Sequence, residues 1–224
     1  MRPPKNLELV VVLCTSLSMF GSAACDNEPA AGKPKAAVQE VTQAPAPAAP
    51  KPTAAAATYA FNQDNSKVEF TGAKVTGKHD GSFKTFSGSI VLQEGPGSAP
   101  TAGLVRVEID IASLVVEPEK LMQHLKSPDL LDAAKFPKAT FNSTAVKAQT
   151  DSTFTVEGYF QLHGVTKQIS FPATIRSKPD QVEVDAEFGI NRKDFGITYP
   201  GKPDDLIKDD VLIKLQIRAP KSAS

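Results

Sequence analysis

Four stretches of the chain alternate apolar and polar residues with a period of two. Val105, Val107, Ile109 and Ile111 alternate with Arg106, Glu108 and Asp110. Val182, Val184, Ala186, Phe188 and Ile190 do the same with Gln181, Glu183, Asp185, Glu187 and Gly189. Ile169, Phe171, Ala173 and Ile175 repeat the pattern, as do Val211, Ile213, Leu215 and Ile217. Successive side chains of a strand point to opposite faces, so each stretch predicts a strand with one wet face and one apolar face. Weaker alternation predicts further strands over 67–76, 82–92, 140–148 and 153–162, about eight in all. Gly95-Pro96-Gly97, Gln149-Thr150-Asp151-Ser152 and Lys178-Pro179-Asp180 mark turns between strands. Residues 117–135 break the period. Pro118 suits a helix N-terminus, Glu117 and Glu119 are acidic there, and Leu121, Met122 and Leu125 have helical spacing. Pro128 interrupts that segment, which predicts two short helices.

Antiparallel strands with one apolar face each pack as a sandwich or close into a barrel that removes their edges. A barrel of eight strands has an interior that is filled by side chains or holds one small ligand. Face assignment from the alternation turns Phe70, Val107, Ile109, Phe141, Val156, Phe188 and Ile213 inward. It turns Glu69, Glu108, Asp110, Glu187 and Lys214 to water. A one-residue slip in register would exchange the two sets.

The first quarter of the chain follows another logic. Residues 1–25 read as a secretory signal, with Arg2 and Lys5, an apolar run from Leu9 to Phe20, and Gly21-Ser22-Ala23-Ala24 before Cys25. That run is too short to span a bilayer. Small residues directly before Cys25 resemble a bacterial lipobox, which makes Cys25 the candidate lipid attachment site, although Ser22 stands where Leu or Val is usual. Cleavage there removes Cys14 and leaves no second thiol for a disulfide. Residues 26–57 are mostly Ala and Pro, with Val38 and Val41 the only sizeable apolar groups. Such a composition predicts a disordered linker, a spacer between membrane and domain. The domain then runs over 58–219, followed by a short tail, 220–224.

Charge and chemistry narrow the function. Lys plus Arg and Asp plus Glu number 25 each, and no basic stripe stands out, so nucleic acid is not an expected partner. The three histidines, His79, His124 and His163, have no ligand spacing that favours a metal, and no cofactor motif is present. His163-Gly164 reads as a hairpin turn, with Gly164 supplying a positive φ, and His79 before Asp80-Gly81 reads as another turn. Asp129 with Asp132, and Asp209 with Asp210, are pairs that suit caps and turns better than acid–base catalysis.

"GSFKTFSGSI" (81–90), "HLKSPDLLDAAKFPKATF" (124–141), "FQLHGVTKQISF" (160–171) and "INRKDFGI" (190–197) follow one another across the domain. Together they resemble the YceI-like family of periplasmic polyisoprenoid-binding proteins. The resemblance departs at Met122-Gln123, where the family has Arg-Asp, and at Leu130-Leu131, where it has two Phe. It implies an all-β fold, an extended eight-stranded antiparallel lipocalin-like barrel with a short helical insertion. Its tunnel would hold a polyisoprenoid or another long-chain lipid, with Phe83 and Phe86 joining the inward set as ligand-binding residues. Lys78, His79, Arg192 and Lys193, in or beside predicted turns, could meet a polar head group at the mouth. The expected protein is a non-enzymatic carrier or sequestering protein on the periplasmic side of a bacterial membrane, tethered through Cys25. Two other readings remain open. One is an envelope stress or surface-interaction barrel with a filled core and an apolar rim patch. The other is a lipid-modifying enzyme using His79, His124 or His163.

Overall fold

The computed structural model describes residues 27–41, 56–93 and 101–222. In chain order the strands are β1 (Ala37–Glu40), β2 (Ala56–Asn62), β3 (Lys67–Lys74), β4 (Gly77–Phe83), β5 (Phe86–Gln93), β6 (Thr101–Asp110) and β7 (Leu114–Val116). After helix α1 (Glu119–Lys126) come β8 (Lys138–Ala148), β9 (Thr153–Leu162), β10 (Val165–Ser177) and β11 (Gln181–Asn191). A short hairpin of β12 (Gly201–Lys202) and β13 (Asp205–Leu206) precedes β14 (Asp210–Pro220). Apart from that hairpin the strands form one curled antiparallel sheet, in the order β2-β5-β6-β8-β9-β10-β11-β14-β3-β4-β7, with β1 added on β10. The β2 edge reaches the end of β14 through a Tyr59–Lys221 bridge and a 2.8 Å hydrogen bond from Ser222 N–H to the Thr58 carbonyl. The result is the expected barrel-like antiparallel sheet with a helical insertion.

Among the described residues fourteen strands form where alternation suggests about eight, the added ones being β1, β2, β4, β7, β12 and β13. The stretch predicted as one strand over 82–92 is two, β4 and β5, parted at Lys84-Thr85. His79-Asp80-Gly81 lies inside β4 and not at a turn. Strand β4, GKHDGSF, has almost no apolar residues, so its pairing with β3 rests on backbone hydrogen bonds that leave no period in the sequence. The helical insertion is also simpler than expected. Only α1 forms; it ends at Ser127, whose N–H and Oγ donate to the His124 carbonyl, and 128–135 continue as turns. Pro128 has no N–H to extend the helix.

The linker departs furthest from the order its composition suggests. Composition predicts disorder over 26–57, yet residues 27–41 dock on the barrel. Pro29 and Ala30 are buried, and Gly189 and residues 34–36 exchange two backbone hydrogen bonds of 2.9 Å. β1 then pairs with β10, Val38 opposite Ile169, and Ala36 and Val38 pack on the core. An exposed sheet edge offers unpaired N–H and C=O groups, and satisfying them offsets the ordering entropy that composition alone counts. The remaining linker, 42–55, lies outside the described residues, as do the signal segment and Cys25.

Candidate ligand cavity

The alternating strands build the interior. On β11, Val184, Phe188 and Ile190 face inward, and on β14, Val211, Ile213, Leu215 and Ile217 do so opposite them. Phe188 stacks on Phe171 of β10 with ring centres 4.1 Å apart, and Phe141 of β8 tilts against Phe171 at 5.6 Å. These rings surround a cavity of about 250 Å³. From Val211 to Ile217 the lining extends over roughly 20 Å, at about 3.4 Å per strand residue.

Of the residues assigned from sequence, Phe70, Phe83, Val107, Ile109, Phe141, Val156, Phe188 and Ile213 all border this cavity. Phe86 does not. It is buried in the neighbouring cluster with Tyr59, Phe61 and Ile90, because β5 there turns its side chain into packing rather than open space. Glu69, assigned to water, also borders the cavity. Glu108 and Glu187 stay outside, ion-paired to Lys138 and Lys33. Asp110 caps a 3-10 turn by accepting from the Ala112 N–H, and Lys214 reaches the Asp80 carboxylate at 3.7 Å.

Several lining residues carry no period-two signal. Leu125, Leu130 and Leu131 come from the helical insertion, and Ile197, Ile207 and Lys208 from the segment between β11 and β14. The insertion is folded back by hydrogen bonds from Leu131 N–H to the Leu125 carbonyl and from Ala133 N–H to the Lys126 carbonyl. Asp132 takes a φ of 42° in that turn. Leu130-Leu131 was visible in the sequence only as a departure from the resembled pattern.

One buried charge stands in this apolar lining. Arg192 is 4% exposed, and three backbone carbonyls hold it: Ile197 at 2.7 Å, Lys208 at 3.1 Å and Ile207 at 3.4 Å. Asp209 accepts a fourth hydrogen bond at 3.2 Å. Burial pulls the guanidinium below its ordinary pKa, and the Asp209 carboxylate opposes that. A desolvated arginine persists because its N–H groups find acceptors. It thereby ties the β11 end to the strand that returns.

The other candidates divide cleanly. Lys193 pairs with Asp209 at 2.8 Å, outside the cavity lining. Lys78 and His79 border a separate polar depression with Glu117 and Lys214. His124 touches Asp129 at 3.4 Å and packs edge-on against Tyr199. His163 and Gly164 have φ of 52° and 76°, the signature of a type I′ hairpin between β9 and β10. Its Nδ1 lies 3.2 Å from the Phe195 carbonyl, and its ring meets Phe136 edge-on at 4.6 Å. Gly164 has a second reason to be glycine: a Cβ there would lie 2.5 Å from the Phe136 ring. Asp210 is buried against Lys35. Lys78, Lys193, His124, His163 and Asp210 each have a local structural partner.

The comparisons with known proteins agree with this architecture. The YceI-like domain model matches residues 59–219. The UPF0312 protein of Pseudomonas putida strain W619 is 33% identical over 140 residues, covering 60% of this chain and 71% of the relative. A UPF0312 protein of Pseudomonas syringae pv. tomato is 34% identical over 137 residues, 58% of this chain and 70% of that one. Among solved structures, Burkholderia cenocepacia BcnA superposes with a TM-score of 0.59 at 25% identity, over 69% of this chain and 96% of that chain. A polyisoprenoid binding domain from Saccharophagus degradans, implicated in plant cell wall breakdown, gives a TM-score of 0.59 at 18% identity, over 75% and 99%. With the family's domain model covering nearly the whole barrel, this chain belongs to the YceI-like family.

Proposed function

We propose that the protein binds a long apolar chain, a polyisoprenoid, isoprenoid quinone or fatty-acid-like lipid, in this cavity. It would act as a carrier or sequestering protein of the bacterial envelope, tethered to a membrane through Cys25. The observation behind this reading is an interior space of about 250 Å³ bordered almost wholly by aliphatic and phenyl groups. Apolar groups that face such a space forgo the dispersion contacts that a filling chain would give them. Each methylene transferred into it gains about 0.8 kcal/mol. A hydrocarbon chain meets both terms, whereas a polar metabolite would lose its hydration without finding partners. A filled barrel, the competing reading, would have no such space. The polyisoprenoid-binding domain that shares the fold supports the same ligand class. A polar head group would rest beside Arg192 and Lys208, the basic side chains of the lining.

Native mass spectrometry of protein purified from a membrane-containing host tests this. The expected spectrum shows a co-purified lipid lost on activation. A single apo mass that incubation with long-chain isoprenoids leaves unchanged would refute the proposal.

A further inference from the structure

Val75 and Leu206 are 55% and 47% exposed, the two most exposed large apolar side chains among the described residues. They belong to different segments, yet the Val75 N–H donates to the Leu206 carbonyl at 3.1 Å, and Lys74 bridges Ile207 in the sheet sense. Asp205 clasps the pair from below. It accepts from Thr76 N–H at 3.2 Å and Thr76 Oγ1 at 2.9 Å, and it pairs with Lys74. Two aliphatic side chains are therefore held side by side on a fixed tip.

Two further observations say what this tip meets. The described chain begins on it: Asn27 Nδ2 donates to the Val75 carbonyl at 3.1 Å, and Lys78 Nζ donates to the Glu28 carbonyl at 2.8 Å. Cys25 lies two residues before Asn27, a span of at most about 7 Å of extended chain. Because residues 27–41 are docked, the Ala/Pro-rich stretch cannot act as a spacer between Cys25 and the barrel. A lipid on Cys25 would hold this tip at the bilayer. The cavity lining reaches this end of the barrel, since Gly72, Ala73, Ile207 and Lys208, all within three residues of Val75 or Leu206, border it.

We propose that the Val75–Leu206 tip is a membrane-docking face, which sets the ligand cavity against the lipid from which its occupant is drawn. The proposal rests on the lipid-anchored reading given above. The charges around the tip are mixed, with Lys78 and Lys202 beside Asp80 and Asp204, so attraction to anionic lipid is not what drives it. Insertion of two aliphatic side chains at the interface does, and each changes membrane affinity by about tenfold or more. That suffices to orient a protein already tethered, and not to recruit one that is free.

The test uses the mature chain, residues 25–224, carrying Cys25→Ser and an N-terminal histidine tag. The tag tethers it to phosphatidylcholine vesicles containing a nickel-chelating lipid. This replaces natural lipidation, so the docking face is tested whether or not Cys25 is modified. A fluorophore is placed at Lys202→Cys, exposed on the same β12–β13 hairpin and opposite Asp205, or, at the opposite end in the β10–β11 turn, at Asp180→Cys. Nitroxide phospholipids should quench the label at 202 and leave that at 180 bright, in low and high salt alike. Val75→Asp in the first variant should abolish that quenching, with the circular dichroism unchanged. Equal quenching at both positions, none at 202, or quenching that salt removes would overturn the proposal. The anchor itself is read separately, as the mass of the N-terminal peptide of the natural protein; an unmodified Cys25 would refute that reading alone.

Discussion

Strand β11 has two different flanks. Against β14 it is paired along its whole length, from Gln181 with Pro220 to Asn191 with Asp210. Against β10 it is paired only from Val182 to Asp185, after which the two strands part. Residues 34–40 fill the opening, first touching Gly189 and then pairing with β10 from Lys167 to Ser170. One wall is thus a ladder closed within the barrel's own chain. The other is completed by a segment whose composition gives no hint of structure. The difference lies in what holds each. The first wall buries Val182, Ala186, Phe188 and Ile190 in the core. The second is held by Ala36, Val38, a short ladder and ion pairs at Lys33–Glu187, Lys35–Asp210 and Glu40–Lys167. At least one partner of each ion pair is exposed, so solvent screens all three, and the docked segment opens more readily than the ladder it completes.

The largest effect should follow from breaking the first wall. Phe188→Asp replaces a ring that is 3% exposed and stacked on Phe171 with a carboxylate in an apolar interior. Losing a buried ring costs about 3–5 kcal/mol even before the charge is counted. Urea denaturation should show a barrel largely unfolded or strongly destabilised. A folded variant that still binds lipid normally would show that the interior is assigned wrongly.

Arg192→Met should come next. It strands the carbonyls of Ile197, Ile207 and Lys208, each accepting from the guanidinium now. Unsatisfied buried acceptors cost about 1–3 kcal/mol each, and relaxation returns part of that, so a net loss of about 3 kcal/mol is expected. Thermal unfolding followed by circular dichroism measures it.

Val38→Asp addresses the second wall. Its side chain packs on the core from the docked segment alone, so only about 1 kcal/mol of global stability should be lost. Hydrogen exchange should quicken at residues 37–40 and at their β10 partners, with β11–β14 amides as protected as before. Equal loss of protection in both walls would contradict the distinction drawn between them.

The smallest effect is a pH dependence at the point where both flanks meet. Asp185 accepts from Arg176 of β10 at 2.9 Å and from Arg218 of β14 at 2.8 Å. Burial opposes its ionisation, but the two arginine hydrogen bonds outweigh that and hold its pKa below the ordinary aspartate value. A carboxyl depressed in the folded state stabilises fully above its unfolded pKa, about 3.9, and that contribution fades as pH falls through the folded value. The urea midpoint should therefore drop on acidification below about pH 4. Asp185→Asn should lower the midpoint at neutral pH and flatten the acid slope; an unaltered slope would remove Asp185 from the account.

The same contrast explains what was legible in the sequence. Where one face of a strand is buried, as at Phe188 and Ile213, the period of two carries both strand and facing, and both residues border the cavity. Where pairing rests on the backbone, as in β4 and β1, side chains leave no period to read. Leu130 and Leu131 reach the cavity from turns, whose direction depends on hydrogen bonds made at a distance along the chain. Arg192 looked like a surface turn residue, because its acceptors are carbonyls, which every residue carries.

The central claim is that the interior takes a hydrocarbon chain lengthwise. Its most direct test is displacement of a fluorescent fatty-acid analogue from delipidated protein by prenyl alcohols of increasing length. The account predicts that affinity climbs with each added isoprene unit, as apolar area leaves water, and levels off once the chain fills the cavity. Equal affinity for the shortest and longest alcohols, or no displacement by any of them, would contradict it.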